Sequence, residues 1–231
     1  MIKVASYNMH RAIGTDRRRN PERILDVLHQ MDADVIALQE ADRRFGPRIS
    51  AIPPHLLELH SDYKAVPLDI QTDSMGWHGN AILVRKSVRI IEHDILHIPY
   101  LEPRGAVMAE VAIDDQSLRI FGMHLDLSGL WRRRQAAAVI ARATGHDDAS
   151  PTVLMGDLNE WSAQSGCLRD FRHHFNFAHC GKSFHARRPV AQLDRIMHCG
   201  QLAVTNCGVH DSPSARKASD HLPIWAELEL V

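Results

Sequence analysis

Nine short apolar runs, each bounded by polar or turn residues, set the strongest limit on the fold of this chain. Runs of this length and composition predict buried β-strands more readily than helices. They lie at residues 2–7, 35–38, 81–84, 106–111, 118–125, 152–155, 193–198, 202–209 and 222–228. Nine strands are too many for a simple alternation of strands and helices around one parallel sheet.

Two helical patterns lie between the predicted strands. Residues 21–31 follow Asn20, a favourable N-cap residue, and begin with Pro21, which suits the first turn of a helix. Residues 130–143 are rich in alanine, and the arginines near their start oppose the helix dipole, so we expect a further role for these arginines. The pattern predicts mixed sheets covered by helices. No repeat or linker divides the sequence, and we therefore expect one domain over residues 1–231.

The composition is that of an ordinary folded protein. Of the 231 residues, 45% are hydrophobic and 24% are charged, which excludes disorder as the main state. The formal net charge of -1 provides no overall field for polyanions, so binding of nucleic acid or phospholipid would need a local basic patch. Four cysteines without a C-x-x-C pair indicate free thiols in a reducing compartment.

The chain carries no pattern typical of a leader peptide or membrane anchor. Its first residues have the pattern of a strand, and the longest apolar run outside the strands, residues 136–141, is far too short to span a bilayer. We therefore expect a cytoplasmic protein without a transmembrane segment, and we expect a monomer.

Polar side chains stand at the ends of several predicted strands. They are Asn8, Glu40, Asp157, Asn159, Asp220 and His221. Taken singly, each is more often a turn or surface residue than a ligand. Strand ends that meet at one edge of a sheet would bring these side chains together, and an oxygen-rich cluster of this kind suits a hard cation.

Three motifs and three shorter blocks occur in a fixed order. They are Leu38-Gln39-Glu40, Gly79-Asn80-Ala81, Met123-His124-Leu125, Gly156-Asp157-Leu158-Asn159, Leu193-Asp194-Arg195-Ile196 and Ser219-Asp220-His221-Leu222-Pro223. Together they resemble the endonuclease/exonuclease/phosphatase superfamily, which includes DNase I, abasic-site endonucleases, bacterial sphingomyelinases and inositol polyphosphate phosphatases. The resemblance runs over nearly the whole chain. It implies a DNase I-like α/β fold, a four-layer α/β/β/α sandwich of two mixed β-sheets with the active site at one end.

The resemblance also implies a divalent metal site. Glu40 resembles the principal Mg²⁺ ligand of the family, with Asn8 beside it, and Asp220 completes the acidic cluster. Carboxylate and amide oxygens are suitable ligands for such an ion. We expect Mg²⁺ as the cofactor, with Mn²⁺ as the alternative.

Five residues resemble the catalytic groups of the family: His124, Asp157, Asn159, Asp194 and His221. Asp157 would orient or deprotonate the attacking water, and Asn159 would donate to the phosphate. His221 would contact the phosphate while Asp194 orients it, and His124 would contact a non-bridging or leaving oxygen. Phosphodiester hydrolysis needs such groups, because charge develops on the phosphoryl oxygens and on the leaving oxygen. Either Asp157 or His221 is the base.

Four further residues are candidates for substrate binding. His10 lies two residues after Asn8, where it either reaches the phosphate or serves as a hydrogen-bonded structural residue. The position carries Asp in the abasic-site endonucleases and Arg in DNase I, so the specificities of those branches do not transfer. Arg132, Arg133 and Arg134 follow the His124 strand and either border the mouth of the site or form a solvated face.

The sequence thus predicts a Mg²⁺-dependent hydrolase that cleaves a phosphodiester in a phosphoester substrate. A nuclease acting on DNA or RNA and a phosphodiesterase acting on a lipid headgroup are both open, and the near-neutral charge favours the second. A catalytically inactive binding module would have lost at least one site residue, and none is missing. The motifs Gly-x-Ser-x-Gly of serine hydrolases and His-Glu-x-x-His of zinc peptidases are absent.

Overall fold

The structure is a computed structural model that describes residues 1–43, 48–68, 73–114, 116–145, 150–164 and 166–231. Its strands are β1 (Ile2–Asn8), β2 (Val35–Gln39), β3 (Tyr63–Ala65), β4 (Ala81–Arg85), β5 (Arg89–Leu96), β6 (Gly105–Ile113), β7 (Gln116–His124), β8 (Thr152–Asp157), β9 (Asn176–Ala178), β10 (Asp194–His198), β11 (Leu202–Val209) and β12 (Ile224–Leu230). Its helices are α1 (Pro21–Met31), α2 (Pro54–His60), α3 (Gly129–Thr144), α4 (Cys167–Arg172) and α5 (Pro213–Ala218), and a single 3-10 turn covers His10–Ala12.

The strands form two six-stranded sheets. The first has the order β11-β12-β1-β2-β4-β3, and the second has the order β5-β6-β7-β8-β10-β9. One central pair in each sheet is parallel, β1 with β2 and β7 with β8. The remaining pairs are antiparallel. Both sheets are therefore mixed.

The central strands are buried on both faces, which explains their continuous apolar runs. In β2, Val35 and Ala37 pack in the core between the sheets, whereas Ile36 and Leu38 pack in the core beneath the helices. Successive side chains of a strand point to opposite faces, so a strand covered on both sides needs apolar residues at every position.

The cores define four layers. One core lies between the sheets and joins Val4 and Ile82 of the first sheet to Val107 and Val153 of the second. A second core packs α1, α2 and α5 on the outer face of the first sheet, and a third packs α3 and α4 on the outer face of the second. The α/β/β/α sandwich implied by the family resemblance is confirmed.

The predicted elements are present, and the structure adds short or exposed ones. All nine apolar runs form strands, and α1 has the expected bounds, with the side chain of Asn20 accepting a hydrogen bond from the backbone N–H of Arg23 at 3.0 Å. The apolar pattern does not predict β5, because among the described residues this strand lies at a sheet edge beside β6 and half of its residues are exposed. No helix in the described ranges is both long enough and apolar enough to cross a bilayer.

Candidate active site

The first sheet presents polar residues at one edge. Asn8 ends β1, and Glu40 directly follows the parallel neighbour β2. Since β12 runs antiparallel to β1, the residues before β12, Asp220 and His221, reach the same edge. The hydroxyl of Ser219 donates to the carbonyl oxygen of Asn8 at 2.7 Å, which fastens this segment to the end of β1.

The second sheet presents a matching polar edge. His124 ends β7 and pairs with Asp157 at the end of the parallel strand β8. Asp194 begins β10 opposite Asp157 in the antiparallel register. All three side chains are buried. The two edges therefore meet in one place, although the residues come from six strands.

Asp157 is the centre of this cluster. Its Oδ2 accepts a hydrogen bond from Asn8 Nδ2 at 2.9 Å, which links the two sheets. The same oxygen lies 3.4 Å from His124 Nε2 and 3.7 Å from His221 Nε2. Its Oδ1 accepts the backbone N–H of Asn159 at 2.9 Å. The carboxylate is thus held on both oxygens while two imidazoles face one of them.

Gly156 allows Asp157 to reach this position. The backbone of Gly156 has a φ of 156°, and a Cβ there would lie 1.9 Å from the carbonyl oxygen of Met123 on β7. Only glycine permits such a close approach of the two strands. The glycine of the motif therefore sets the spacing between the ends of β7 and β8.

Asp194 and His221 form a buried hydrogen-bonded pair. His221 Nδ1 donates to Asp194 Oδ2 at 2.8 Å, which is within the range for a strong charge-assisted hydrogen bond. The hydroxyl of Ser183 donates to the same oxygen. Burial by itself would lower the pKa of His221, but the carboxylates of Asp194 and Asp157 outweigh it and raise the pKa to about 10. His221 is therefore an imidazolium at neutral pH.

His124, unlike His221, is uncharged at neutral pH. Burial lowers its pKa, and the adjacent Arg104 guanidinium lowers it further, to about 3. Arg104 Nη1 lies 2.8 Å from His124 Nε2 and 2.9 Å from Nδ1. Asp157 thus stands between a neutral imidazole and a charged one.

The side-chain amide of Asn159 makes a hydrogen bond within the protein. Its Nδ2 donates to the carbonyl oxygen of Leu125 at 2.9 Å, and its backbone has a φ of 49°. This left-handed conformation is tolerated better by Asn than by most residues. In this structure Asn159 fixes the Asp157 loop to the end of β7.

The oxygen atoms of Asn8, Glu40 and Asp220 lie around the 3-10 turn. Asn8 Oδ1 accepts the backbone N–H of His10 at 3.1 Å, and His10 Nδ1 lies 3.7 Å from Asp220 Oδ1. Glu40 Oε2 lies 3.0 Å from Arg11 Nε, yet this buried nitrogen makes no hydrogen bond. Glu40 therefore faces Arg11 as an ion pair without a hydrogen bond from that nitrogen. Two carboxylates and an amide oxygen fit a hard divalent cation.

A second group of possible ligands is better explained as a hydrogen-bonded cluster. Single ligand atoms of Asp157, Asp194 and His221 all lie within 4.8 Å of one another. However, the Nδ1 hydrogen of His221 is already donated to Asp194, and a protonated imidazole has no lone pair for a metal. The three side chains of this group are therefore engaged with one another.

A cleft of about 190 Å³ opens beside these groups, between Glu40 and His124. Its lining includes the four arginines Arg11, Arg43, Arg48 and Arg104 together with His78. Burial lowers the pKa of His78, and so does the charge of Arg48, whose Nη1 lies 3.2 Å from His78 Nδ1. The carboxylates of Glu40, Asp42 and Glu102 line it as well. The cleft is thus a concave, strongly polar pocket next to the cluster, and its guanidinium groups are suitable donors to an anionic ligand.

Many residues around the cleft have left-handed backbone conformations. They are His10, Arg11, Ala12, Glu40, Arg48, His78 and Asn159, with φ between 43° and 58°. Such conformations are costly for residues with a Cβ, and they concentrate where a protein must place functional side chains.

The structure does not bring the α3 arginines to the cleft. Arg132 is buried and its Nη2 lies 3.2 Å from Glu160 Oε2, while its Nη1 donates to the carbonyl oxygens of Asp126 and Leu127. Arg133 pairs with Asp170 at 3.3 Å, and the Arg134 guanidinium lies 4.9 Å from the centre of the Trp131 ring. His10, by contrast, borders the predicted metal site.

Sequence reasoning missed several residues that shape the site. Arg11, Arg48, Arg104 and His78 line the cleft, and Ser183 supports Asp194. Arg104 had a recognisable signal, because it directly precedes β6 at the catalytic edge. Ser183 had none, because its contact with Asp194 depends on how the chain folds back.

Comparison with known proteins decides the family. The sequence profile of the endonuclease/exonuclease/phosphatase family matches residues 5–221. The chain belongs to this family. Its members hydrolyse phosphoester bonds and are generally dependent on divalent metal ions.

Similar proteins cover nearly the whole chain. The uncharacterized protein YbhP of Escherichia coli (strain K12) is 25% identical over 262 aligned residues, covering 99% of this chain and 96% of YbhP. A mannosyl-6-phosphatase of Bacteroides thetaiotaomicron has a TM-score of 0.80 at 19% identity, with 100% of both chains covered. TDP2 of D. rerio, complexed with a single-strand DNA product, has a TM-score of 0.76 at 18% identity, with 99% and 98% covered. At these identities the two structures show a shared fold.

Proposed function

We propose that this protein is a divalent-cation-dependent phosphodiesterase that acts on a small or lipid-type phosphodiester. The proposal rests on the cluster of Asn8, Asp157, Asp194 and His221 beside the arginine-lined cleft. Within the cluster, the Asp157 carboxylate can accept a proton, and the His221 imidazolium can place positive charge near the phosphoryl oxygens. The arginines add charge for the rest of an anionic ligand.

Asp157 is the residue that we assign to the attacking water. Its Oδ1 is engaged by the backbone of Asn159, which leaves Oδ2 as the atom facing His221 and His124. The hydrogen bond from Asn8 fixes the plane of the carboxylate. In our proposal Oδ2 orients the water and accepts its proton.

His221 is the residue that we assign to a non-bridging phosphoryl oxygen. Because Nδ1 donates to Asp194, the second nitrogen, Nε2, is the one turned towards Asp157. The neighbouring carboxylates favour the imidazolium form, which donates a charge-assisted hydrogen bond as negative charge grows on the phosphoryl oxygens. Asp194 acts through His221 by fixing its orientation and its charge.

Glu40, Asn8 and Asp220 would hold the divalent cation, which we propose to be Mg²⁺, with Mn²⁺ as the alternative. When bound, such an ion places positive charge on phosphoryl oxygens and lowers the pKa of a coordinated water. His124 lies next to Arg104 on the opposite wall of the cleft, where both face the leaving oxygen in our proposal.

The position of the arginines favours a small or lipid-type substrate over a long polynucleotide. A polynucleotide requires several backbone phosphates to be held outside the catalytic centre. Arg132 is engaged with Glu160 and backbone carbonyls, so it does not serve that purpose here. Four other arginines converge instead on one cleft of about 190 Å³, which they share with three carboxylates. The nuclease remains the second candidate, and the DNA product held by TDP2 supports it.

Hydrolysis of a substrate panel tests the proposed activity. Purified protein is assayed with Mg²⁺, with Mn²⁺ and with excess chelator against DNA, RNA, nucleotides, sugar phosphates, phospholipids and a small chromogenic phosphodiester. We expect metal-dependent cleavage of the small phosphodiester and of a phospholipid. Undiminished cleavage in chelator contradicts the metal dependence, and selective cleavage of nucleic acid contradicts the substrate assignment.

Glu40→Gln tests the metal ligand by binding as well as by turnover. The variant keeps the size of the side chain and removes the charge that a divalent cation needs, so Mg²⁺ affinity measured by calorimetry and turnover should fall together. Glu58→Gln is a matched control, because Glu58 is exposed on α2, away from the strand ends. Equal Mg²⁺ affinity in Glu40→Gln and Glu58→Gln would exclude Glu40 as a ligand.

A further inference from the structure

Six large apolar side chains are exposed on loops at the catalytic edge. We call them the apolar rim: Tyr100, Leu101, Leu127, Leu130, Trp161 and Val190, which are between 51% and 65% exposed. They lie before β6, after β7 and in the first turn of α3, after β8, and before β10. The directions of these strands bring all of these segments to the edge that holds His124, Asp157 and Asp194.

The buried carboxylate of Asp126 joins the first two segments of the rim. Asp126 Oδ2 accepts the backbone N–H groups of Leu101 and Glu102 at 3.3 and 3.2 Å. Its Oδ1 accepts the backbone N–H of Ser128 at 2.9 Å. The segment before β6 is therefore fastened to the segment after β7, and Leu101 and Leu127 belong to one connected surface.

Arg132 joins the same surface to the loop after β8. Its guanidinium donates to the carbonyl oxygens of Asp126 and Leu127 and to the carboxylate of Glu160. Glu160 directly precedes Trp161. Arg132 therefore holds two loops in place, and the exposed side chains of both loops belong to the apolar rim.

Aromatic contacts connect the rim to the catalytic cluster. The ring of Trp161 packs edge-on against Phe184 with the ring centres 5.9 Å apart, and the Phe184 ring centre is 4.8 Å from that of His221. The carbonyl oxygen of Phe184 accepts the backbone N–H of Val190 at 2.7 Å. The rim therefore continues from the active site outwards. Connected apolar surface of this kind marks an interaction site more often than scattered exposed residues do.

The residue types of the apolar rim indicate which kind of partner it binds. Four of its six residues are aliphatic and cannot stack on bases, which disfavours single-stranded nucleic acid. Trp and Tyr suit the boundary between water and lipid. The exposed arginines Arg134 and Arg188 are near the rim in sequence and complement a negatively charged surface.

We propose that the apolar rim docks this protein on the surface of a phospholipid bilayer that contains anionic lipid, with the cleft facing the headgroups. Docking concerns where the enzyme works and is separable from the bond that it cleaves. The buried anchors Asp126 and Arg132 keep the rim exposed and ordered before the membrane is met, so little further ordering is needed on binding.

Vesicle sedimentation tests the docking surface. The full-length protein is mixed with vesicles of phosphatidylcholine alone or of phosphatidylcholine with phosphatidylglycerol. We expect sedimentation with the anionic vesicles and at least about tenfold weaker binding in the double variant Leu101→Ser/Leu130→Ser, because two inserted side chains are lost. The control Leu59→Ser/Ile91→Ser changes two exposed apolar residues on α2 and β5, and it should bind like the wild type.

Two further measurements make the outcome decisive. Circular dichroism and hydrolysis of a soluble phosphodiester should be the same in both double variants and the wild type, so that failure of the proposed activity is seen separately. Arg134→Gln/Arg188→Gln should reduce the preference for anionic vesicles. The proposal is overturned if the wild type sediments with neither kind of vesicle, or if the rim variant binds vesicles as tightly as the control variant. Binding to oligothymidylate is measured as well, and a rim variant that loses this binding but keeps its vesicle binding also overturns the proposal.

Discussion

Replacing Asp194 with Asn removes a charge from beside His221 while keeping the shape of the side chain. In the wild type, Asp194 Oδ2 accepts hydrogen bonds from His221 and Ser183, and Oδ1 is buried without a hydrogen-bond partner among the described residues. An Asn at this position must turn its carbonyl oxygen towards His221. Its amide nitrogen then occupies the place of Oδ1, where a buried donor without an acceptor costs about 1–3 kcal/mol.

The larger effect falls on the charge of His221. Burial acts to lower the pKa of His221, and the charge of Asp194 is the largest of the causes that raise it to about 10. The rise from 6.5 to about 10 corresponds to roughly 5 kcal/mol in favour of the imidazolium. Without Asp194 we expect the pKa to fall towards 6.5 or below, and turnover at neutral pH to fall by about 10²- to 10⁴-fold.

The stability of the two proteins should also differ in its dependence on pH. A histidine with a raised pKa stabilises the folded state fully below its unfolded value of 6.5, and the contribution is lost as pH rises through about 10. The difference in unfolding free energy between the wild type and Asp194→Asn should therefore be largest below pH 6.5 and should shrink towards pH 10.

Three measurements check this reasoning: NMR titration of the His221 ring in metal-free protein, urea unfolding across the pH range, and steady-state kinetics. Ser183→Ala is the matched control, because it removes the second hydrogen bond to Asp194 and keeps the carboxylate. We expect less than about a tenfold loss of turnover there, as for one neutral hydrogen bond. An unchanged His221 pKa with unchanged turnover in Asp194→Asn would refute the argument.

Three further changes follow from particular contacts. Gly156→Ala should destabilise the protein by about 2 kcal/mol or more and reduce turnover, because the new Cβ would lie 1.9 Å from the Met123 carbonyl oxygen. A variant that unfolds at the same urea concentration as the wild type would contradict this. Arg132→Met should lower the free energy of unfolding by about 3–5 kcal/mol, because it leaves Glu160 buried without its cation. Arg133→Met should cost at most about 1 kcal/mol, because the pair of Arg133 with Asp170 is exposed. Equal urea midpoints for the two variants would count against this. Burial and then the charge of Glu160 raise the pKa of the Cys167 thiol to about 12, so iodoacetamide at pH 8 should alkylate it only after unfolding, as read by mass spectrometry.

The strands and the main helices were predictable because their signals are local. Residues 153–155 are all apolar because β8 is covered by the other sheet on one face and by helices on the other. Asn20 and Pro21 mark the start of α1 through contacts made within one helical turn. By contrast, β5 is half exposed at a sheet edge, so no apolar pattern distinguishes it from a loop.

The residues of the polar cluster around Asp157 were also recognisable, because motifs at strand ends keep their order along the chain. Asp157 and Asp194 end up opposite each other because β8 and β10 are antiparallel neighbours. The sequence led to the pairing of Asp194 with His221 only through family resemblance. The 2.8 Å hydrogen bond that joins them belongs to the folded chain.

What only the tertiary structure decided is where the long polar side chains point. Arg132 lies beside the predicted mouth of the site in sequence, yet it turns inwards because Glu160, from the loop after β8, offers a buried carboxylate. Arg48 and Arg104 come from distant loops and meet in one cleft. A local pattern determines which face of a strand or helix a residue occupies, whereas the direction of a flexible arginine depends on partners that only folding brings within reach.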